Sequence, residues 1–137
     1  MSNAWWLTIG ADCTSPTYRL EDDNGPLDLT DWGFRVEFWD AAHTGAGRCS
    51  GYWSGGSYPQ ADYQNALLTG TDLDGMLVAS TPESGDFNFY VTTAQSRQIA
   101  DRSWVPRNQV RKITIRIFRT DGGRNQPLYD QAHWVHP

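Results

Sequence analysis

Apolar and polar residues alternate along most of this chain, and a period of two is the pattern of β-strands. The clearest case covers residues 32–39, where Trp32, Phe34, Val36 and Phe38 occupy every second position. Successive side chains of a strand point to opposite faces, so these four predict a half-buried strand. The residues between them are expected to line its other face.

Further short segments, some alternating and some continuously apolar, predict the remaining strands, and short polar turns separate them. They cover residues 5–9, 17–20, 66–69, 76–80, 87–91, 110–119 and 128–135. One helical turn is predicted at 92–100, with Thr92 or Thr93 as its N-cap. About seven or eight short strands in a single domain, residues 1–137, predict an all-β fold. Its expected form is an antiparallel β-sandwich, either Ig-like or an open barrel.

A long glycine-rich loop, residues 40–66, interrupts this pattern. Glycine at this density opposes regular structure, and so long a loop in a compact domain tends to be functional. Its aromatic residues predict a binding surface for another subunit or a glycan, or else a cap that covers the sandwich. The candidate binding residues, in the loop or beside it, are Trp39, Tyr52, Trp53, Tyr58 and Tyr63.

Net charge and hydropathy limit the expected partners. The formal charge is −5, whereas phosphate binding usually needs a basic face. No apolar run approaches the roughly 20 residues that span a bilayer, and the first residues lack the features of a signal peptide. We therefore expect neither nucleic-acid nor membrane binding. Cys13 and Cys49 are compatible with one disulfide, but two free thiols are favoured.

The residues that could form a metal or catalytic site also have simpler structural interpretations. Asp72 and Asp74 lie in a polar turn that resembles a calcium loop only loosely, because the other ligands are missing. His133 and His136 are three apart on a predicted strand, which places their rings on opposite faces. They are expected to be surface or tail histidines rather than metal ligands. The sequence therefore predicts no enzyme, no metal site and no cofactor.

A turn followed by a Leu-Asp-Leu-Thr step precedes the strand at 32–39. Asn24-Gly25 supplies the positive φ that a tight turn requires. Asp and Thr side chains hydrogen-bond nearby backbone groups, and the leucine between them can anchor the corner in the core. The sequence thus predicts a structural corner. Its residues are Pro26, Asp28, Leu29, Thr30 and Trp32.

This segment resembles small β-sandwich domains of tailed-bacteriophage tail and baseplate proteins, in which G-x-P-x-D-L-T-G-W often precedes a strand. Residues 25–32 read GPLDLTDW, with Asp31 where glycine is usual. Thr93-Ala94-Gln95 and a returning hairpin through 128–130 are similar as well. The resemblance implies a virion structural protein of a phage or prophage tail or baseplate, made in the bacterial cytoplasm.

The same resemblance implies protein–protein contacts with other phage structural proteins or in a homo-oligomer, and no catalytic residues. The alternative is a carbohydrate- or receptor-binding β-sandwich module that uses the loop aromatics. The two hypotheses differ in the partner, which is a protein subunit in the first and a glycan in the second.

Overall fold

A computed structural model describes residues 4–40, 66–71, 75–103, 105–123 and 126–137. The protein is mostly β, which confirms the predicted all-β class. The strands, in chain order, are β1 (Trp6–Thr8), β2 (Cys13–Thr14), β3 (Tyr18–Arg19), β4 (Glu21–Asp22), β5 (Gly25–Pro26), β6 (Phe34–Asp40), β7 (Leu68–Thr71), β8 (Leu77–Thr81), β9 (Asp86–Val91), β10 (Arg111–Arg119) and β11 (Gln126–His136). A helix, α1 (Thr93–Arg102), follows β9, and a short 3-10 helix, Pro82–Ser84, precedes it.

These strands form a larger sheet, a smaller sheet and a hairpin. The larger sheet has the order β1-β11-β10-β6-β7, and the smaller has β2-β9-β3 with β8 also paired to β9. Strands β4 and β5 form the hairpin. In the larger sheet β1 runs parallel to β11, while the other pairs are antiparallel. The expected antiparallel β-sandwich is therefore not confirmed, because this sheet is mixed and curled.

The two sheets pack together around the aromatic residues of β9. The ring centroid of Phe89 lies 6.4 Å from that of Phe38 on β6 and 5.5 Å from that of Tyr129 on β11. It also lies 6.0 Å from the ring of Trp5, which precedes β1. Edge-to-face aromatic pairs contribute about 0.5–1.5 kcal/mol each beyond the area they bury. Both sheets therefore share one hydrophobic core.

Strand β6 is buried on both faces, although its alternation predicted only one buried face. It begins at Phe34, two residues later than predicted, and its apolar positions face the core as expected. On the opposite face the buried Glu37 accepts hydrogen bonds from Arg35 Nε and Trp39 Nε1, each at 2.9 Å. A buried carboxylate is tolerable when it is paired and hydrogen-bonded in this way. Alternation cannot show this, because polar residues usually mark a solvent-exposed face.

Two local predictions hold closely. Helix α1 begins with a capping box, in which Thr92 Oγ1 accepts a hydrogen bond from Gln95 N and Gln95 Oε1 accepts one from Thr92 N. The helix ends two residues beyond the predicted segment. Strand β10 has the predicted alternation, and Ile113, Ile115 and Ile117 are fully buried. Both elements are specified by neighbouring residues, so local patterns were sufficient.

We expect Gly85→Ala to lower the free energy of unfolding by about 3 kcal/mol or more. Gly85 ends the 3-10 helix at φ +74, and a Cβ there would lie 2.4 Å from the carbonyl oxygen of Leu20. Urea unfolding measures the loss. Gly75→Ala is the matched control, because Gly75 has φ +76 but nothing within 4 Å of its Cβ position. The free energy of unfolding of that variant should fall by only roughly 1–2 kcal/mol, which is the cost of a left-handed backbone conformation for a residue with a Cβ. Equal losses would contradict the steric explanation.

Candidate functional site

The Asp28–Thr30 corner is fixed by its own side chains and by the 3-10 helix. Asp28 Oδ1 accepts hydrogen bonds from Thr30 Oγ1 at 2.6 Å and from Thr30 N at 3.0 Å. These bonds hold the pKa of Asp28 below its usual value, with the side-chain bond as the larger cause. Leu29 is buried and its backbone N–H donates to the carbonyl of Pro82 at 2.7 Å. Pro26 lies on β5 and is exposed.

The end of the corner requires an unusual backbone conformation. Asp31 has φ +64, in the left-handed region that favours glycine and that Asp tolerates better than most residues. This conformation gives a physical reason why glycine would suit the position. It also turns the chain directly before β6, so that Trp32 lies beside the core rather than inside the strand.

Trp32 is held in place by a cation. The guanidinium carbon of Arg119 lies 3.7 Å from the centroid of the Trp32 ring. Arg119 also donates two hydrogen bonds to the carboxylate of Asp121, at 2.7 and 2.9 Å. These bonds are the main cause that lowers the pKa of Asp121 to about 2. The indole, the guanidinium and the carboxylate therefore form one rigid unit at the end of β10.

The corner forms one wall of an open cleft of about 380 Å³, and β8 forms the other. This volume lies in the range of small ligand-binding clefts. Six of its eight lining residues are apolar, and the other two, Thr30 and Asp31, are polar. The lining residues are Leu29, Thr30, Asp31, Trp32, Phe34, Leu77, Ala79 and Pro82.

One acidic residue lines this cleft, and two more lie in the segments that form it. Asp31 lines it, Asp28 belongs to the same turn, and Glu83 follows the lining residue Pro82; all three acids are exposed. The nearby Arg119 is already paired with Asp121. An apolar group that carries a positive charge beside it would therefore fit the cleft best.

A row of three stacked rings, Trp134, Trp6 and His136, lies at the opposite end of β10. Trp6 lies between the other two, with centroids 5.5 Å from Trp134 and 4.6 Å from His136. Trp6 is 50% exposed, the highest value among the large hydrophobic residues of the described ranges. Lys112 Nζ lies 5.8 Å from the Trp134 ring centroid and adds a positive charge. The sequence does not indicate this aromatic row, because residues 5–9 have the alternation of an ordinary strand and the partners of Trp6 lie at the other end of the chain.

The candidate loop aromatics are mostly outside the described residues. Tyr52, Trp53, Tyr58 and Tyr63 fall there, and their binding role stays a prediction. Trp39 belongs to β6 and is 1% exposed, packed with Ala66 and Phe118. This position corrects the expectation for Trp39, since a buried indole is not part of an exposed binding surface.

Two other sequence-based expectations involve residues that lie outside the described ranges. Cys13 is a free cysteine, as favoured, while Cys49 lies outside the described residues. Asp72 and Asp74 lie outside them as well.

His133 is buried in the aromatic core, so the expectation of a surface histidine was wrong. Its Nδ1 accepts a hydrogen bond from Trp5 N at 2.9 Å, and its Nε2 lies 2.8 Å from the Tyr129 hydroxyl oxygen. Because Nδ1 is an acceptor, the neutral ring carries its proton on Nε2 and donates it to that oxygen. Burial lowers the pKa of His133 to about 4. The exposed His136 lies on the other face of β11, as predicted.

Comparisons with known proteins do not assign a family. No family model matches this chain. A search of curated proteins finds no match either. In the described part of the chain, no helix is long and apolar enough to cross a membrane. Nor does any group of three or more His, Cys, Asp or Glu residues within those ranges form a candidate metal site.

We expect the protein to lose stability as the pH falls from about 6.5 to 4. In that range unfolded His133 binds a proton near its ordinary pKa of 6.5, while folded His133 stays neutral down to about 4. The unfolded state then binds more protons, so the contribution is fully present above pH 6.5 and is lost on acidification. The difference between the two pKa values corresponds to about 3 kcal/mol. Urea unfolding at several pH values measures it.

His133→Gln should flatten this pH dependence, because glutamine keeps one acceptor and one donor but does not titrate. His136→Gln is the matched control and should retain the wild-type dependence, since His136 is exposed. If His133→Gln lost stability on acidification as steeply as the wild type, the assignment to His133 would be incorrect.

Proposed function

We propose that this protein is a structural component of a phage or prophage tail particle, and that it acts through protein–protein contacts in the virion. The observation that carries the proposal is the cleft beside the corner. The segment at 25–32, which resembles tail and baseplate domains, contributes four of its lining residues. A concave surface with a mostly apolar lining and acidic residues on the segments that form it suits a side chain of a neighbouring subunit.

The finer fold assignment belongs to the same proposal. We infer a β-sandwich in which the larger sheet faces the smaller one across Phe89, and in which β1 is an added parallel edge strand. The contacts of Phe89 with Phe38 and Tyr129 support it, because they join one layer to the other. Two facing layers around one core are the arrangement expected of such domains.

The acids near the cleft support a contact role rather than catalysis. A general acid or base works best when its pKa lies near the operating pH. Asp28 and Asp121 have lowered pKa values instead, because Thr30 and Arg119 hydrogen-bond to their carboxylates. Such carboxylates stay ionised, and they hold the corner and Trp32 in place. We therefore propose a binding surface rather than an active site.

Particles purified from an induced lysate of the source strain should contain this chain in a fixed ratio to their other structural subunits. Quantitative mass spectrometry across a density gradient measures that ratio. Ala79→Arg, introduced into the gene, should reduce incorporation because it fills the cleft. Ser80→Arg is the matched control, since Ser80 is exposed on the same strand and does not line the cleft. A chain that stays wholly outside intact particles would overturn the proposal.

A further inference from the structure

We propose that the protein assembles head to tail with copies of itself, the aromatic row of one copy docking into the cleft of the next. This inference rests on the proposed contact function and names the partner. Its basis is that the exposed row and the open cleft are complementary in polarity and charge and lie near opposite ends of β10.

The aromatic row is suited to insertion. Trp6 is half-exposed, and stacking between Trp134 and His136 already restricts its ring. A restricted side chain loses less conformational entropy on binding, and tryptophan is enriched among the residues that dominate interface energies. Lys112 lies above Trp134 and is exposed. The row thus presents an indole with a positive charge beside it.

The cleft has the complementary character. Its lining includes the buried Leu29, Phe34 and Leu77 and the exposed Asp31, and the exposed Asp28 belongs to the same turn as Asp31. A two-fold contact of cleft against cleft would bring these acids opposite one another, which is unfavourable. Contact with the row instead brings Lys112 toward them. Charge therefore favours the row over a second cleft.

The positions of the two features determine the type of assembly. Lys112 and Arg119 mark the two ends of β10, and seven residues of strand span roughly 23 Å. Lys112 lies beside the row, over the Trp134 ring, and Arg119 lies beside the cleft, over the Trp32 ring. The row is therefore too far from the cleft of its own chain. A contact between two different surfaces repeats from copy to copy and builds a ring or an open filament.

Light scattering coupled to gel filtration tests this proposal on the purified full chain. The wild-type mass should rise with concentration beyond that of a dimer and fall again at high salt. Trp6→Ala, which removes the row's exposed ring, and Ala79→Arg, which blocks the cleft, should each leave a monomer. Lys112→Glu should weaken the association about tenfold. Val110→Ala is the control, because Val110 is exposed outside both features.

Mixing the two monomeric variants gives the decisive result. The Ala79→Arg copy keeps its row and the Trp6→Ala copy keeps its cleft, so one contact can form. The mixture should therefore yield a one-to-one dimer and nothing larger. A two-fold contact of row against row, or of cleft against cleft, predicts no such rescue, and a reciprocal row-to-cleft dimer is distinguished by a wild-type mass that never exceeds that of a dimer. Circular dichroism of each variant checks that the fold is retained.

Three results would overturn the proposal. The first is a wild-type chain that stays monomeric up to near-millimolar concentration. The second is a mixture of the two variants that stays monomeric. The third is a Trp6→Ala variant that keeps the oligomeric mass of the wild type but loses binding to a glycan on an array. The last would assign the row to a sugar. A monomeric chain that is still found in purified particles would reject self-assembly and leave the tail proposal intact.

Discussion

The two sheets of this protein meet at the ring of Phe89. It contacts Trp5 at the start of the chain, Phe38 in the middle of the larger sheet, and Tyr129 and His133 near the end. Strands that are distant in sequence therefore converge on one side chain. Because interiors are close-packed, a change in the position of this ring would be felt on every strand that touches it. The cleft and the aromatic row depend on it indirectly, since both are built on strands of this core.

His133 links that core to the beginning of the chain. Both of its ring nitrogens are hydrogen-bonded, one to the backbone of Trp5 and the other to Tyr129. The first bond joins residues that are 128 positions apart, and it supports the parallel pairing of β1 with β11. That pairing places Trp6 opposite Trp134, which creates the aromatic row. A buried polar group thus helps to position an exposed aromatic one.

The sequence predicted the elements that neighbouring residues specify and missed those that depend on distant partners. Alternation located β6 and β10, and the Thr92 cap located α1. Nothing local indicates that β1 is a parallel edge strand, because its partner lies at the other end of the chain. Trp39 ends the alternating segment and lies beside the glycine-rich loop, which is why the sequence predicted a binding role for it. It is buried in a cluster with Phe118 and Ala66, which are far from it in sequence.

The candidate site likewise combines a feature that neighbouring residues specify with one that depends on distant strands. The hydrogen bonds of Asp28 with Thr30 are local, and the sequence therefore predicted the corner that they build. The cleft exists only because β8 lies across from that corner, a relation that no pattern along the chain records. Strand β10 then separates the cleft from the aromatic row by its full length. A short loop would have let the two features meet within one chain. A long, rigid strand leaves each of them available to another molecule, which is the geometry that a repeating contact requires.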